Sequence, residues 1–191
     1  PGVFPSPFRD GELLTDPVPT GVAVDADGNI FVSLLTGAPF IPGTASIQQV
    51  DEETGEVTEF VGGLTMLTDL ALGPDGNLYA TSFAIFGEQG PTLNSGSVVR
   101  VVDGAAQVVL DGLPFPTAID FNADGDGFVV INGVGAPGSG AVLAVAGLTE
   151  AEGMAMDMMG EEMDESMDDS EDMGEGEEME ESDDGDGEGD G

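Results

Sequence analysis

The sequence predicts an all-β fold made of four-stranded antiparallel sheets. The main evidence is an internal repeat. A segment of about 15 residues occurs three times, and each copy has two short apolar runs on either side of an Asp-Gly pair. Asp-Gly between apolar runs is a strong signal for a β-hairpin, because the turn requires positive φ angles that glycine adopts easily. The turn glycines Gly28, Gly76 and Gly125 lie 48 and 49 residues apart. The copies are residues 19–33, 67–81 and 116–130.

Each repeat is predicted to contain a meander of short strands. The first two strands flank the Asp-Gly turn, a long Gly/Pro-rich loop leads to the third, and a fourth follows a second tight turn. The predicted strands are 22–24, 30–34, 46–50 and 57–61 in the first repeat, 69–72, 78–83, 97–101 and 106–110 in the second, and 118–121, 128–131 and 141–145 in the third.

The strand missing from the third repeat is predicted to come from the N-terminus. Residues 11–20 resemble residues 107–117, which places an outermost strand around residues 8–15. The chain then has twelve strands, enough for three blades of a β-propeller, and a period near 48 residues is typical of that fold.

Three blades are too few for a closed propeller, which typically has about 4 to 8. We therefore expect half of a six-bladed propeller, completed either by sequence from a longer parent chain or by a second copy. In the second case, each N-terminal strand would complete the third blade of the other copy, giving a homodimer. A head-to-tail arrangement that does not close would instead give an extracellular filament.

The charge of the chain excludes several partners. It has 39 acidic residues and two basic ones, a formal net charge of -37. Nucleic acids and anionic membranes attract clustered Lys and Arg, so neither is expected as a partner. His and Cys are absent, which removes thiolate nucleophiles, imidazole bases and the usual zinc ligands. We therefore expect a non-catalytic protein, because no nucleophile can be paired with a base.

No membrane insertion is expected. The longest apolar region, residues 128–148, is interrupted by Asn, Pro, Ser and Gly residues, and it is read as strands and turns. The sequence starts at Pro1 without a basic and apolar leader. We expect either a removed signal peptide or a piece of a longer protein.

Composition divides the chain into residues 1–149, which hold the predicted blades, and a C-terminal tail of residues 150–191. The tail contains 21 of the 39 acidic residues and eight of the nine Met, and it has no aromatic or β-branched residue. Such a segment buries too little apolar area to offset its ordering entropy, so it is predicted to be disordered. It would keep the protein soluble or collect Ca²⁺ loosely.

Several motifs resemble known propeller families. Residues 19–32 resemble the NHL-type and gluconolactonase-like six-bladed propellers. A closer resemblance is to the ScyD/ScyE family, propeller proteins associated with scytonemin pigment biosynthesis. The resemblance covers roughly residues 14–148 and implies a secreted or periplasmic protein. The motifs that carry it are residues 34–43, 67–79, 96–101 and 112–117. It leaves open a pigment-biosynthesis accessory, or a gluconolactonase-like enzyme with a cation in its channel.

A candidate small-molecule site lies on the long loops. Loops that follow the second and fourth strands of a blade meet at the same end of a propeller, and these are the long ones in this chain. In the alternative interpretation, their aromatic residues only pack the loops onto the blades. The candidate ligand-binding residues are Phe40, Phe86, Asn94, Phe115 and Asn132.

A candidate calcium site lies on the innermost strands. Asp69 and Asp120 stand where other repeats have Gly or Ala. Their carboxylates could bind Ca²⁺ in the channel together with the hydroxyls of Thr20, Thr68 and Thr117. In the alternative, each aspartate accepts hydrogen bonds from backbone N–H groups. Calcium is the one cofactor that these residues suggest.

Overall fold

A computed structural model describes residues 16–38 and 40–156 of the chain, and they form an all-β structure of stacked antiparallel sheets. Sheet 1 has four strands, in the order β1-β2-β3-β4. They are β1 (Pro19–Val24), β2 (Ile30–Leu34), β3 (Ala45–Val50) and β4 (Val57–Leu64).

Sheet 2 begins directly after sheet 1 and has five strands, in the order β14-β10-β9-β6-β5. A small separate hairpin, β7 and β8, occupies the predicted long loop before β9. The strands are β5 (Leu67–Leu72), β6 (Leu78–Ser82), β7 (Phe86–Gly87), β8 (Gly90–Pro91), β9 (Gly96–Val102) and β10 (Ala105–Leu113).

Sheet 3 has three strands among the described residues, in the order β11-β12-β13. These are β11 (Ala118–Phe121), β12 (Gly127–Ile131) and β13 (Ala141–Val145). A short 3₁₀ helix (Leu148–Glu150) and β14 (Met154–Ala155) follow. The predicted N-terminal strand at residues 8–15 lies outside the described residues.

The first hairpin of each sheet forms where the sequence predicts it. Asp25 Oδ1 accepts hydrogen bonds from the backbone N–H of Asp27 at 3.0 Å and of Asn29 at 2.8 Å. Gly28 completes the turn with a φ of 88°. In the third repeat, Asn122 has the position and the bonding role of Asp25. These side chains satisfy the turn N–H groups and so fix the register of the hairpin.

The sheets stack in chain order, so each has a forward face turned toward the next sheet and a rear face turned toward the previous one. Two apolar cores lie between them, one between sheets 1 and 2 and one between sheets 2 and 3. The forward faces carry Ala23, Phe31 and Ile47 in sheet 1, Ala71, Tyr79 and Val98 in sheet 2, and Asp120, Phe128 and Val142 in sheet 3. The rear faces carry Val22, Val32 and Gln48 in sheet 1, Leu70, Ala80 and Val99 in sheet 2, and Ile119, Val129 and Leu143 in sheet 3.

The first strands of the three sheets lie side by side, with β5 between β1 and β11. Gly21 allows β1 and β5 to approach, because a Cβ at this position would collide with the backbone N of Leu70. At the equivalent position in sheet 2, Asp69 bridges to sheet 3 with its side chain. The two junctions therefore have the same strand arrangement but different inner-strand contacts.

The segment after β13 crosses the predicted boundary at residue 149 and packs on sheets 2 and 3. Leu148 is only 1% exposed and packs in the core between sheets 2 and 3. Gly127 leaves room for it, since a Cβ there would collide with the Leu148 side chain. β14 then pairs with the edge of sheet 2, with Met154 opposite Val108. Residues 148–155 thus bury the Leu148 side chain and cover an open sheet edge, which the acidic composition after residue 149 did not indicate. Residues 157–191 lie outside the described residues.

Across residues 16–38 and 40–156, no helix has the length and apolar character needed to span a membrane.

Candidate functional site

Threonine hydroxyls link neighbouring sheets along their first strands. Thr20 Oγ1 donates to the carbonyl of Leu67 in sheet 2 at 2.9 Å, and it lies 3.0 Å from Ser33 Oγ. Thr68 repeats this geometry: its hydroxyl donates to the carbonyl of Pro116 at 3.0 Å. In both cases the acceptor is the residue before the equivalent threonine of the next sheet. Two of the three hydroxyls that were candidate calcium ligands, those of Thr20 and Thr68, are therefore engaged in joining sheets.

Thr117 holds the same position in sheet 3 as Thr20 and Thr68, but it has no following sheet within the described residues. Val130 stands where Ser33 and Thr81 supply a second hydroxyl. No hydrogen bond of the Thr117 hydroxyl is found within residues 16–38 and 40–156. The first strand of sheet 3 thus carries a threonine hydroxyl that, unlike those of Thr20 and Thr68, joins no neighbouring sheet among the described residues.

The two candidate calcium carboxylates have different surroundings. Asp69 Oδ2 accepts a hydrogen bond from the backbone N–H of Ile119 at 2.9 Å, across the gap between sheets 2 and 3. Asp120 is exposed, and its Oδ1 accepts from the N–H of Phe121 at 2.8 Å. The described part of the chain contains no group of three or more acidic side chains suited to hold a metal ion. The geometry matches the alternative interpretation, and calcium binding stays a prediction.

The forward faces carry an aromatic residue at the same position in each sheet. Phe31 is 5% exposed and Tyr79 is 0% exposed, because each packs against the next sheet. Phe128 is 38% exposed. On the third strands, Ile47 and Val98 are fully buried while the equivalent Val142 is 64% exposed. The forward face of sheet 3 therefore exposes apolar side chains at positions that are buried in sheets 1 and 2, and the exposed Asp120 lies opposite Phe128 where the other two sheets have alanine.

The rear face of sheet 1 also exposes apolar residues whose equivalents in sheets 2 and 3 are buried. Leu70 and Ile119 on the first strands of sheets 2 and 3 are 3% and 5% exposed, whereas the equivalent Val22 is 63% exposed. Val24 on the same face is 53% exposed. Sequence analysis did not single out these two end faces. The repeat alignment could have indicated them, because the outer faces of the first and last sheets in a stacked series have no neighbouring sheet within that series.

The predicted ligand-binding aromatics come together at the long-loop end. The rings of Phe40 and Phe86 are 4.9 Å apart between centroids, and those of Phe83 and Phe115 are 5.1 Å apart and stacked. These residues pack around Met66 in a third apolar cluster. Their contacts are those of loop anchors, which was the alternative interpretation, and a ligand role for them stays a prediction.

The two predicted asparagines do not join this cluster. Asn94 is exposed, and the side-chain amide of Asn132 donates to the carbonyl of Ser139 at 3.1 Å within its own loop. Left-handed backbone is frequent at this end, with φ values of 75° at Thr36, 59° at Phe40 and 49° at Phe115. Each such non-glycine conformation costs on the order of 1–2 kcal/mol, so the loop packing must offset it.

A cavity of about 380 Å³ lies at the opposite, tight-turn end, between sheets 1 and 2. Phe31, Phe60 and Leu78 form its apolar wall, and Asp25 and Asp103 lie at its polar side. The sequence analysis placed its candidate small-molecule site at the long-loop end and did not identify this cavity. Its walls come from different sheets, so no local motif marks it.

Arg100, a basic residue of the described part of the chain, lies between sheets 2 and 3. Its guanidinium donates to the carbonyl of Thr149 at 3.0 Å and to Gln107 Oε1 at 3.2 Å. The neighbouring Tyr79 donates its hydroxyl proton to Asp75 at 2.8 Å. Burial, reinforced by the hydrogen bond to Asp75 and the charge of that carboxylate, raises the pKa of Tyr79 to about 12. The phenol is therefore neutral at ordinary pH and acts as a structural donor.

Comparisons with known proteins give a distant structural likeness. No protein-family model and no curated protein matches the chain. A solved structure provisionally described as a gluconolactonase is similar at a TM-score of 0.47 and 18% identity. Another, provisionally described as a glucose dehydrogenase-type oxidoreductase from Thermus thermophilus, is similar at 0.47 and 21% identity. The matches cover 66% and 69% of this chain but 49% and 44% of those proteins. At these values neither likeness bears on what this chain binds or does.

Proposed function

We propose that the protein is a non-catalytic binding and assembly module, and that its sheets are blades of a propeller completed by a second copy. The exposure of Phe128 carries this proposal. Its two repeat equivalents are buried against a following sheet, whereas Phe128 is 38% exposed. Exposing the apolar ring of Phe128 to water has a free-energy cost, and packing against a further sheet would remove that cost.

The stacking of the sheets supports the propeller interpretation. Successive meanders pack face to face, and their first strands lie side by side in chain order. Repeats of this kind bury apolar area only against neighbours, so a ring removes both exposed ends. Two copies would supply the six blades that the NHL-like and ScyD/ScyE resemblances imply.

The absence of His and Cys from the chain supports a non-catalytic role. Without these residues no imidazole base or thiolate nucleophile is available. We propose that the protein works outside the cytoplasm, as the ScyD/ScyE resemblance implies, and that any small-molecule ligand contacts the long-loop end.

Sedimentation velocity and native mass spectrometry of the full chain test the proposal. The chain has a mass of 19.3 kDa, and we expect a discrete species of two copies. A monomer across the micromolar range would overturn the assembly role. A ladder of larger species would support assembly but overturn the closed pair in favour of a filament.

The non-catalytic part needs a separate measurement. We expect no hydrolysis of gluconolactone above the spontaneous rate, with or without calcium chloride. Saturable hydrolysis that requires the cation would overturn this part of the proposal and favour the gluconolactonase-like alternative.

A further inference from the structure

We propose that the forward face of sheet 3 docks onto the rear face of sheet 1 of a second copy, with Thr117 donating a hydrogen bond to the carbonyl of Pro19. This inference rests on the proposed assembly role and specifies its contact. The chain already contains this contact twice, between sheets 1 and 2 and between sheets 2 and 3. The third instance would join two molecules.

The apolar part of the contact follows from the repeat. Tyr79 packs on Phe121 of the next sheet, with ring centroids 4.6 Å apart. Phe128 is the sheet 3 equivalent of Tyr79, and Val24 is the sheet 1 equivalent of Phe121. Both side chains are exposed, at 38% and 53%. Docking would place Phe128 against Val24 and bury both.

The polar part follows from the threonine series. Thr20 and Thr68 donate to Leu67 and Pro116, each the residue before the next threonine. The residue before Thr20, the first threonine of this series, is Pro19, which is exposed. Thr20 and Thr68 each lie beside a second hydroxyl, that of Ser33 or Thr81, whereas Thr117 has Val130 at that position. The Pro19 carbonyl would therefore be the main hydrogen-bond partner of Thr117. This bond would fix the register between copies.

The contact requires unlike faces. Two forward faces brought together would not offer Thr117 the carbonyl acceptor that both internal junctions use, because that carbonyl precedes the first threonine of a following sheet. Two rear faces would present Val22 and Val24 without an aromatic residue to pack on them. A head-to-tail contact satisfies both requirements, and in a pair of copies it would be formed twice.

Two variants, one on each face, test the inference. Val22→Asp and Phe128→Arg each place a charge in the proposed contact, and we expect at least a tenfold rise in the dissociation constant for each. Leu93→Asp is the control, since Leu93 is 60% exposed in the loop before β9 and lies outside both faces. Circular dichroism melting establishes that every variant is folded.

Mixing the two face variants distinguishes a head-to-tail contact from a like-with-like one. A mixed pair has one unaltered contact and one that carries both substitutions, where the introduced negative and positive charges lie in the same contact. An equimolar mixture should therefore regain assembly. Thr117→Val, which removes only the hydroxyl, should weaken assembly about three- to tenfold without unfolding the chain.

The outcomes separate the two proposals. A monomeric wild type overturns the assembly role itself. An assembling wild type with both face variants unaffected overturns only the head-to-tail contact. Loss of assembly from one face variant alone, with no recovery on mixing, would show a like-with-like contact and also overturn it.

Discussion

The carboxylate of Asp69 accepts a hydrogen bond from the backbone N–H of Ile119 at 2.9 Å and so connects the first strands of sheets 2 and 3. Replacing Asp69 with Ala leaves that N–H without its partner. We expect Asp69→Ala to lower the free energy of unfolding by roughly 1–3 kcal/mol, measured by urea denaturation. Asp111→Ala is the control and should change it by less than about 0.5 kcal/mol, because Asp111 is exposed and lies in sheet 2, outside both proposed docking faces.

The same variant separates the structural role of Asp69 from calcium binding. If the carboxylate joins the sheets, Asp69→Ala should lower the melting temperature equally in calcium chloride and in EDTA. If the wild type alone gains stability from calcium and the variant does not, then Asp69 is a calcium ligand and the structural interpretation is incomplete.

Tyr79 is the only tyrosine in the chain, and there is no Trp, so its ionisation can be followed by absorbance at 295 nm. We expect a midpoint near pH 12 in the folded protein, because burial and Asp75 raise its pKa to about 12. In guanidinium the midpoint should fall to about 10. Since the folded pKa is the higher one, the stability linked to Tyr79 is complete below pH 10 and is lost as the pH rises through 12.

Asp75→Asn provides the control for this titration. The substitution removes the negative charge beside the phenol, so the folded midpoint should move below that of the wild type while staying above the unfolded value. A folded wild-type midpoint near 10 would show that Tyr79 is not buried in solution.

Leu148 connects the C-terminal segment to the core. It is 1% exposed and fills the space beside Gly127, so Leu148→Ala removes a fully buried side chain. We expect a loss of about 2–5 kcal/mol in the free energy of unfolding by urea titration. Met154→Ala is the comparison, because Met154 is 46% exposed and should cost much less. Equal small effects would place the segment after β13 outside the folded unit.

Assembly should strengthen with salt. Each copy carries a formal net charge of -37, so two copies repel one another at low ionic strength. The screening length falls from about 10 Å at 0.1 M to about 3 Å at 1 M salt. We expect the dissociation constant from sedimentation to fall over that range, with sorbitol at equal osmolality as the control. Weaker assembly at 1 M salt would indicate that ion pairs hold the copies together.

The sequence predicted the hairpins and their repeat correctly because these depend on neighbours in the chain. Asp25 and Gly28 form their turn through local bonds and a backbone preference, and both are visible as a motif. The short apolar runs also predicted the strands of all three repeats. The sequence alone did not show which contacts Asp69 and the threonine hydroxyls make, because their partners lie about 50 residues away.

The amino-acid sequence by itself determined the strands, the tight turns and the threefold repeat, since alternation and turn chemistry act over a few residues. Only the tertiary structure decided which faces are covered. Tyr79 and Phe128 occupy the same repeat position, yet one is buried and the other is exposed, because burial depends on whether another sheet follows. The tertiary structure likewise placed Leu148 in the core and β14 beside β10, where apolar packing and an open strand edge outweigh the acidic composition around them.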